Sequence, residues 1–145
     1  MKKMISILVL FLIVNCEKST EFQSFEITPV LVSKGEYFNP NYNPTRHGEV
    51  FSNAVAWDEF VTNSWGIATV PDAANVNFEE HQVIASFDQP WPTGGHSIDI
   101  ISVVENSENI VVVVDKLNNG DFTQMPTRPY HFVKIPISTK PIIFN

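Results

Sequence analysis

Four histidines (His47, His81, His96 and His131), a lone Cys16, and the run Pro92, Thr93, Gly94, Gly95, His96, Ser97 are the residues whose types could do chemistry. Imidazoles that share a metal ion sit at a close repeated spacing, such as four apart on one helix. No two of these do, so the expected role of each is a solvated or hydrogen-bonded histidine. A serine nucleophile needs a base on its own side, but Ser97 follows His96 directly, and neighbours on a strand point to opposite faces. No Gly-X-Ser-X-Gly turn occurs elsewhere to expose a serine. Glu79, Glu80 and His81 stand where a loop runs into a strand and are expected to face water. The oxygen-rich stretch 115–121 lacks the order of a calcium loop, because Lys116 and Leu117 interrupt it. The expectation is a protein that is not an enzyme and carries no cofactor and no metal.

The two successive glycines invite a different reading. Glycine admits positive φ and close backbone approach, so Gly94 and Gly95 either present backbone N–H groups to a partner or pack beneath another segment. Arg128 and Tyr130 open a later strand and would lie near them if the two strands adjoin. Thr93, Gly94, Gly95, His96, Arg128 and Tyr130 therefore form the candidate protein-binding set. Tyr130 is expected to pack its ring and bond through its hydroxyl.

The elements that would position these residues read as α+β, mainly β: an antiparallel sheet of about five strands with one packed helix, preceded by a lipoprotein signal peptide. A first strand is expected over 25–32, with Pro29 forcing it to an edge or a bulge. Asn and Pro make 37–48 a loop. Val55, Trp57, Phe60, Val61 and Trp65 approximate one helical face over 52–64, with Ser52 or Asn53 as the cap and Gly66 as the stop. Trp57 and Trp65 are expected to pack rather than bind. Strands follow over 82–87 and 96–104. A polar hairpin over 105–109 leads to an apolar strand over 110–117, expected to be buried on both faces. A last strand is expected over 129–135.

The N-terminus reads as export. Lys2 and Lys3 precede an apolar run from Met4 to Val14, which at about 1.5 Å per residue covers about half of a bilayer core. Ile13, Val14, Asn15 and Cys16 resemble a bacterial lipobox, although Asn15 departs from the usual small residue. Lipid on Cys16 would account for an otherwise free exported thiol. The expected organisation is a signal peptide over 1–15, a lipidated tether over 16–24 and a single domain over 25–145. Removal of the first fifteen residues leaves 130, with seven basic and sixteen acidic side chains and a net charge of −9. Such a surface disfavours nucleic acid, whose phosphates need clustered Lys and Arg.

The string Pro92, Thr93, Gly94, Gly95, His96, Ser97, Ile98, Asp99, Ile100, followed later by Thr127, Arg128, Pro129, Tyr130, His131, Phe132, Val133, Lys134, Ile135, resembles the C-terminal domain of the PrcB family. The resemblance covers about 50–135, with His96 standing where that family more often has Tyr. It implies an accessory or assembly role beside a bacterial surface protease. The expected function is a protein-interaction module held at the cell envelope by lipid on Cys16, with an envelope protein, such as a protease, as partner. Two alternatives remain open. One is a protease inhibitor acting through Thr93, Gly94 and Gly95, which would need a protruding 91–96 loop. The other is a small-ligand or glycan binder using Trp91, Tyr37 and Tyr42.

Overall fold

The computed structural model describes residues 22–36, 39, 43, 45–64 and 76–145. The expected signal segment, Cys16, the start of the tether, Tyr37, Tyr42, Trp65 and Gly66 lie outside the described residues. Among the described residues the order is β1 (Phe25–Glu26), β2 (Val30–Gly35), β3 (His47–Phe51), α1 (Ala54–Ser64), β4 (His81–Phe87), β5 (Asp99–Glu105), β6 (Ile110–Asp115), β7 (Tyr130–Pro136) and β8 (Ile142–Phe144). The mainly β reading with one helix holds, but the strands form two sheets of four, in the orders β1-β5-β6-β8 and β2-β7-β4-β3.

The expected first strand is two. β1 pairs with β5 and β2 with β7, so the chain changes sheets across 27–29. Pro29 sits at that crossing, where its missing N–H would otherwise break a ladder. β3 occupies the end of the stretch read as loop, and β8 adds a short strand parallel to β6.

β4 is an interior strand between β3 and β7, and Gln82 to Phe87 are all buried. Alternation sends Val83, Ala85 and Phe87 to one face and Ile84 to the other. On the first face α1 lays Trp57 and Phe60 against Phe51, Phe87 and Phe132. Asn53 caps that helix, its Oδ1 accepting the Ala56 N–H at 2.9 Å. Val55, expected on the packing face, is exposed, because the stripe that meets the sheet is Ala56, Trp57, Phe60 and Val61. On the second face Ile84, Val133 and Ile135 meet Ile100, Val103, Ile110 and Val112 of the other sheet. Among the described residues no helix lies on the outer face of that other sheet. Val111 and Val113 of β6 are consequently only half-buried, which corrects the expectation of burial on both faces.

Phe132 is buried completely and touches four aromatic rings, those of Trp57, Phe60, Phe87 and Tyr130. Phe132→Ala is expected to lower stability by about 3–5 kcal/mol, read from urea unfolding followed by tryptophan fluorescence.

Candidate functional site

The strand registers place the starts of β5 and β7 and the ends of β2, β4 and β6 at one end of the sandwich. Every residue of the expected binding set lies at this end.

Gly94 and Gly95 do not protrude. They form a short ladder with the 118–123 segment: the Gly94 N–H donates to the Thr123 carbonyl at 2.9 Å, the Asp121 N–H to Gly94 at 2.8 Å and the Gly120 N–H to Gly95 at 3.2 Å. The Ser97 N–H extends it to the Asn118 carbonyl at 3.1 Å. Gly95 has φ +71°, and a Cβ there would come within 2.8 Å of the Asp121 carboxylate. Gly120, φ +97°, passes so close to the His96 ring that a Cβ would fall 2.4 Å from it. Of the two readings of the glycines, the structure shows packing beneath another segment.

Thr93 and His96 belong to the same brace. The Thr93 hydroxyl lies 3.0 Å from His96 Nε2, and the Thr93 carbonyl accepts the Thr127 hydroxyl at 2.7 Å. The His96 ring stacks on Trp91 with centroids 4.3 Å apart. Trp91 donates its Nε1–H to Asp88 at 2.7 Å, and the Lys116 ammonium stands 4.5 Å from the Trp91 ring centroid. Trp91 is thus half-buried among polar neighbours, which limits its use as a flat stacking platform.

Arg128 is 1 % exposed. Its guanidinium donates to the backbone carbonyls of Asp88 (3.0 Å), Asn39 (2.7 Å) and Asn43, and its own N–H donates to Glu36. It fastens the segment after β2 to the end of β4 and stays hidden from any partner. Tyr130 packs its ring on Phe132, and its hydroxyl meets Ser33 Oγ at 3.2 Å.

A second polar cluster bridges the two sheets. Asp99, almost fully buried, pairs with Lys34 and accepts from Ser97 Oγ at 2.5 Å and the Leu117 N–H at 3.1 Å. Burial alone would raise its pKa, but the hydrogen bonds from Lys34, Ser97 and Leu117 outweigh burial and hold the carboxyl below its ordinary value. His131 accepts the Ile100 N–H on Nδ1 at 2.9 Å, a link from β7 to β5. Burial, and then the Lys34 charge, depress the His131 pKa to about 4, against a weaker opposing pull from Asp99. Beside this cluster Lys34, Glu36, His96, Ser97 and Asn118 line a cleft of about 160 Å³. Ser97 donates to the Asp99 carboxylate, which its lowered pKa makes a weak base, and accepts the Asn118 N–H at 3.0 Å. Among the described residues no group of three or more His, Cys, Asp and Glu is placed to hold a metal ion.

One set of residues escaped the sequence reading. Leu117, Phe122 and Met125 are exposed on the segment braced by the glycines, and Phe122 is fully so. Their only sequence signal is three large apolar residues inside a loop of Asn, Gly and Thr.

Residues 83–136 match the family model described as PrcB C-terminal. The matched segment runs from β4 through β7 and contains the glycine ladder, Arg128, Tyr130 and the exposed loop. The resemblance drawn from residue 50 onward reaches back to α1, which the match does not include. No curated protein and no solved structure gives a significant match.

Arg128→Leu is expected to strip donors from three backbone carbonyls, that of Asp88 buried and those of Asn39 and Asn43 part-buried, and to lower stability by about 1–3 kcal/mol in urea unfolding. Stability should also fall with acid. The unfolded chain binds the His131 proton near pH 6.5, whereas the folded chain binds it only near pH 4. Stability from this group is therefore complete above about pH 6.5 and lost progressively down to pH 4. His131→Gln should flatten that part of a thermal-melting profile against pH. The loss from Asp99, whose ordinary pKa is 3.8, then begins lower still.

Proposed function

We propose that this protein is a lipid-anchored bacterial envelope protein whose domain binds a protein partner without catalysing a reaction, as an accessory or assembly subunit of a protease complex. The observation that carries this reading is Phe122, fully exposed at the tip of a segment whose backbone is fixed by Gly94 and Gly95. A single exposed apolar residue is ordinary, but three on one braced loop make a preformed anchor. Rigid presentation reduces the entropy lost on binding, and an aromatic side chain seated in a partner's pocket is the usual dominant contact. The absence of catalysis rests on the polar groups described above, which are engaged by one another. The PrcB C-terminal match supports association with a protease, and the Cys16 motif supports the lipid anchor.

An inhibitor is the second reading, since a braced loop with an apolar tip also suits a protease cleft. It would act through Phe122, because Thr93, Gly94 and Gly95 lie beneath that loop.

The test is a pull-down from native membranes with the lipidated chain and its Phe122→Asp variant, folding being checked by circular dichroism. The wild type is expected to recover an envelope protease that stays active. The variant should lose about 2 kcal/mol of binding, roughly thirtyfold in affinity. Suppressed activity in the recovered protease would favour the inhibitor. Equal recovery by both proteins would show that the loop is not the contact.

A further inference from the structure

We infer that the edge formed by β1 and the start of β2 is a membrane-contacting surface, which takes the acyl and interfacial region of a lipid bilayer. This inference rests on the lipid-anchor reading of Cys16. Four large apolar side chains stand exposed within the first ten described residues: Phe22 at 44 %, Phe25 at 51 %, Val30 at 51 % and Leu31 at 60 %. They lie at the end of the sandwich opposite the glycine ladder, since Phe25 pairs with Glu105 and Val30 with Lys134. The Lys140 ammonium sits 4.3 Å from the Phe22 ring centroid and is held by Glu105 at 2.6 Å, which fixes that ring beside the 105–110 turn.

Chain length supplies the occupant. Five residues lie between Cys16 and Phe22, and the six steps at about 3.6 Å each span at most about 22 Å. A lipid on Cys16 therefore keeps Phe22 within that distance of the bilayer whatever the domain binds. Tethering of this kind gives an effective concentration on the order of mM, so the apolar side chains of this edge need only weak intrinsic affinity to stay seated. Glu26, Glu79, Glu80, Glu105 and Glu108 lie at this end with Lys134 and Lys140, so seating depends on apolar insertion rather than on attraction to anionic lipid. With strands of about 20 Å, the seated domain holds Phe122 at its far end, turned toward the aqueous compartment.

The experiment uses the full chain purified in its lipidated form. Lipid occupies the Cys16 sulfur, so Thr28→Cys at the edge and Gln124→Cys at the far end each supply the one thiol for a polarity-sensitive dye. Each protein is mixed with phosphatidylcholine and phosphatidylethanolamine vesicles, with and without brominated acyl chains, and floated on a density gradient. In the floated fraction the Thr28 dye should be blue-shifted, several-fold brighter and quenched by bromine, and the Gln124 dye unchanged. Phe22→Ser, Phe25→Ser and Leu31→Ser together should leave flotation intact and abolish the Thr28 signal. A floated protein whose two dyes behave alike overturns the surface while leaving the anchor standing. A protein that does not float overturns the anchor and this inference with it. A Thr28 dye shielded on native membranes but open on pure lipid assigns the edge to a protein partner, which also overturns it.

Discussion

A guanidinium taken out of water must find acceptors, and the distal end of this sandwich is organised around that requirement. Arg128 reaches carbonyls contributed by the end of β4 and by the segment after β2, so pieces of chain far apart in sequence are tied to one buried charge. Leaving the buried Asp88 carbonyl unpaired would cost about 1–3 kcal/mol. Asp99 makes a similar demand nearby and draws in Lys34, Ser97 and the backbone at Leu117. The apolar layers set how the two sheets stack, while these two charges set where the loops above them rest.

The polar residues of the candidate site consequently act by positioning. His96 holds its place between Thr93 and Trp91, and Gly95 and Gly120 open the space that lets the two loops touch. What remains for another molecule to meet is the outer loop, with Leu117, Phe122 and Met125 turned outward.

Much of this was legible in residue types. β4 has nearly its expected extent, Asn53 marks the helix start, and paired glycines announce a tight backbone approach, whereas β5 begins at Asp99, three residues later than expected. Other features depend on partners distant in sequence. β3 begins His47-Gly48 and reads locally as turn, and it becomes a strand because β4 offers it an edge. β8 has three residues and exists only because β6 has a free side. Pro29 signalled a disruption, but only the pairing of β1 and β2 with different sheets shows that the chain crosses between layers there. Ser97 and Asp99 are polar residues of a strand region, and they are buried because Lys34 and the backbone at 117–118 cover them. Arg128 and Tyr130 stand at the same end as the glycines although β7 pairs with β2 and β4 and not with β5, and their roles follow from contacts that no spacing rule encodes.

The brace separates what the loop's backbone does from what its side chains do. Its conformation is fixed by hydrogen bonds from main-chain groups of Gly94, Gly95 and Ser97, which are indifferent to the side chains at 122, 124 and 125. Substitutions at 122 and 124, whose side chains take no part in the ladder, leave its main-chain bonds in place. The same framework can therefore drift toward new surfaces of recognition by changing a few exposed letters, as an evolving scaffold must if its counterpart is changing too.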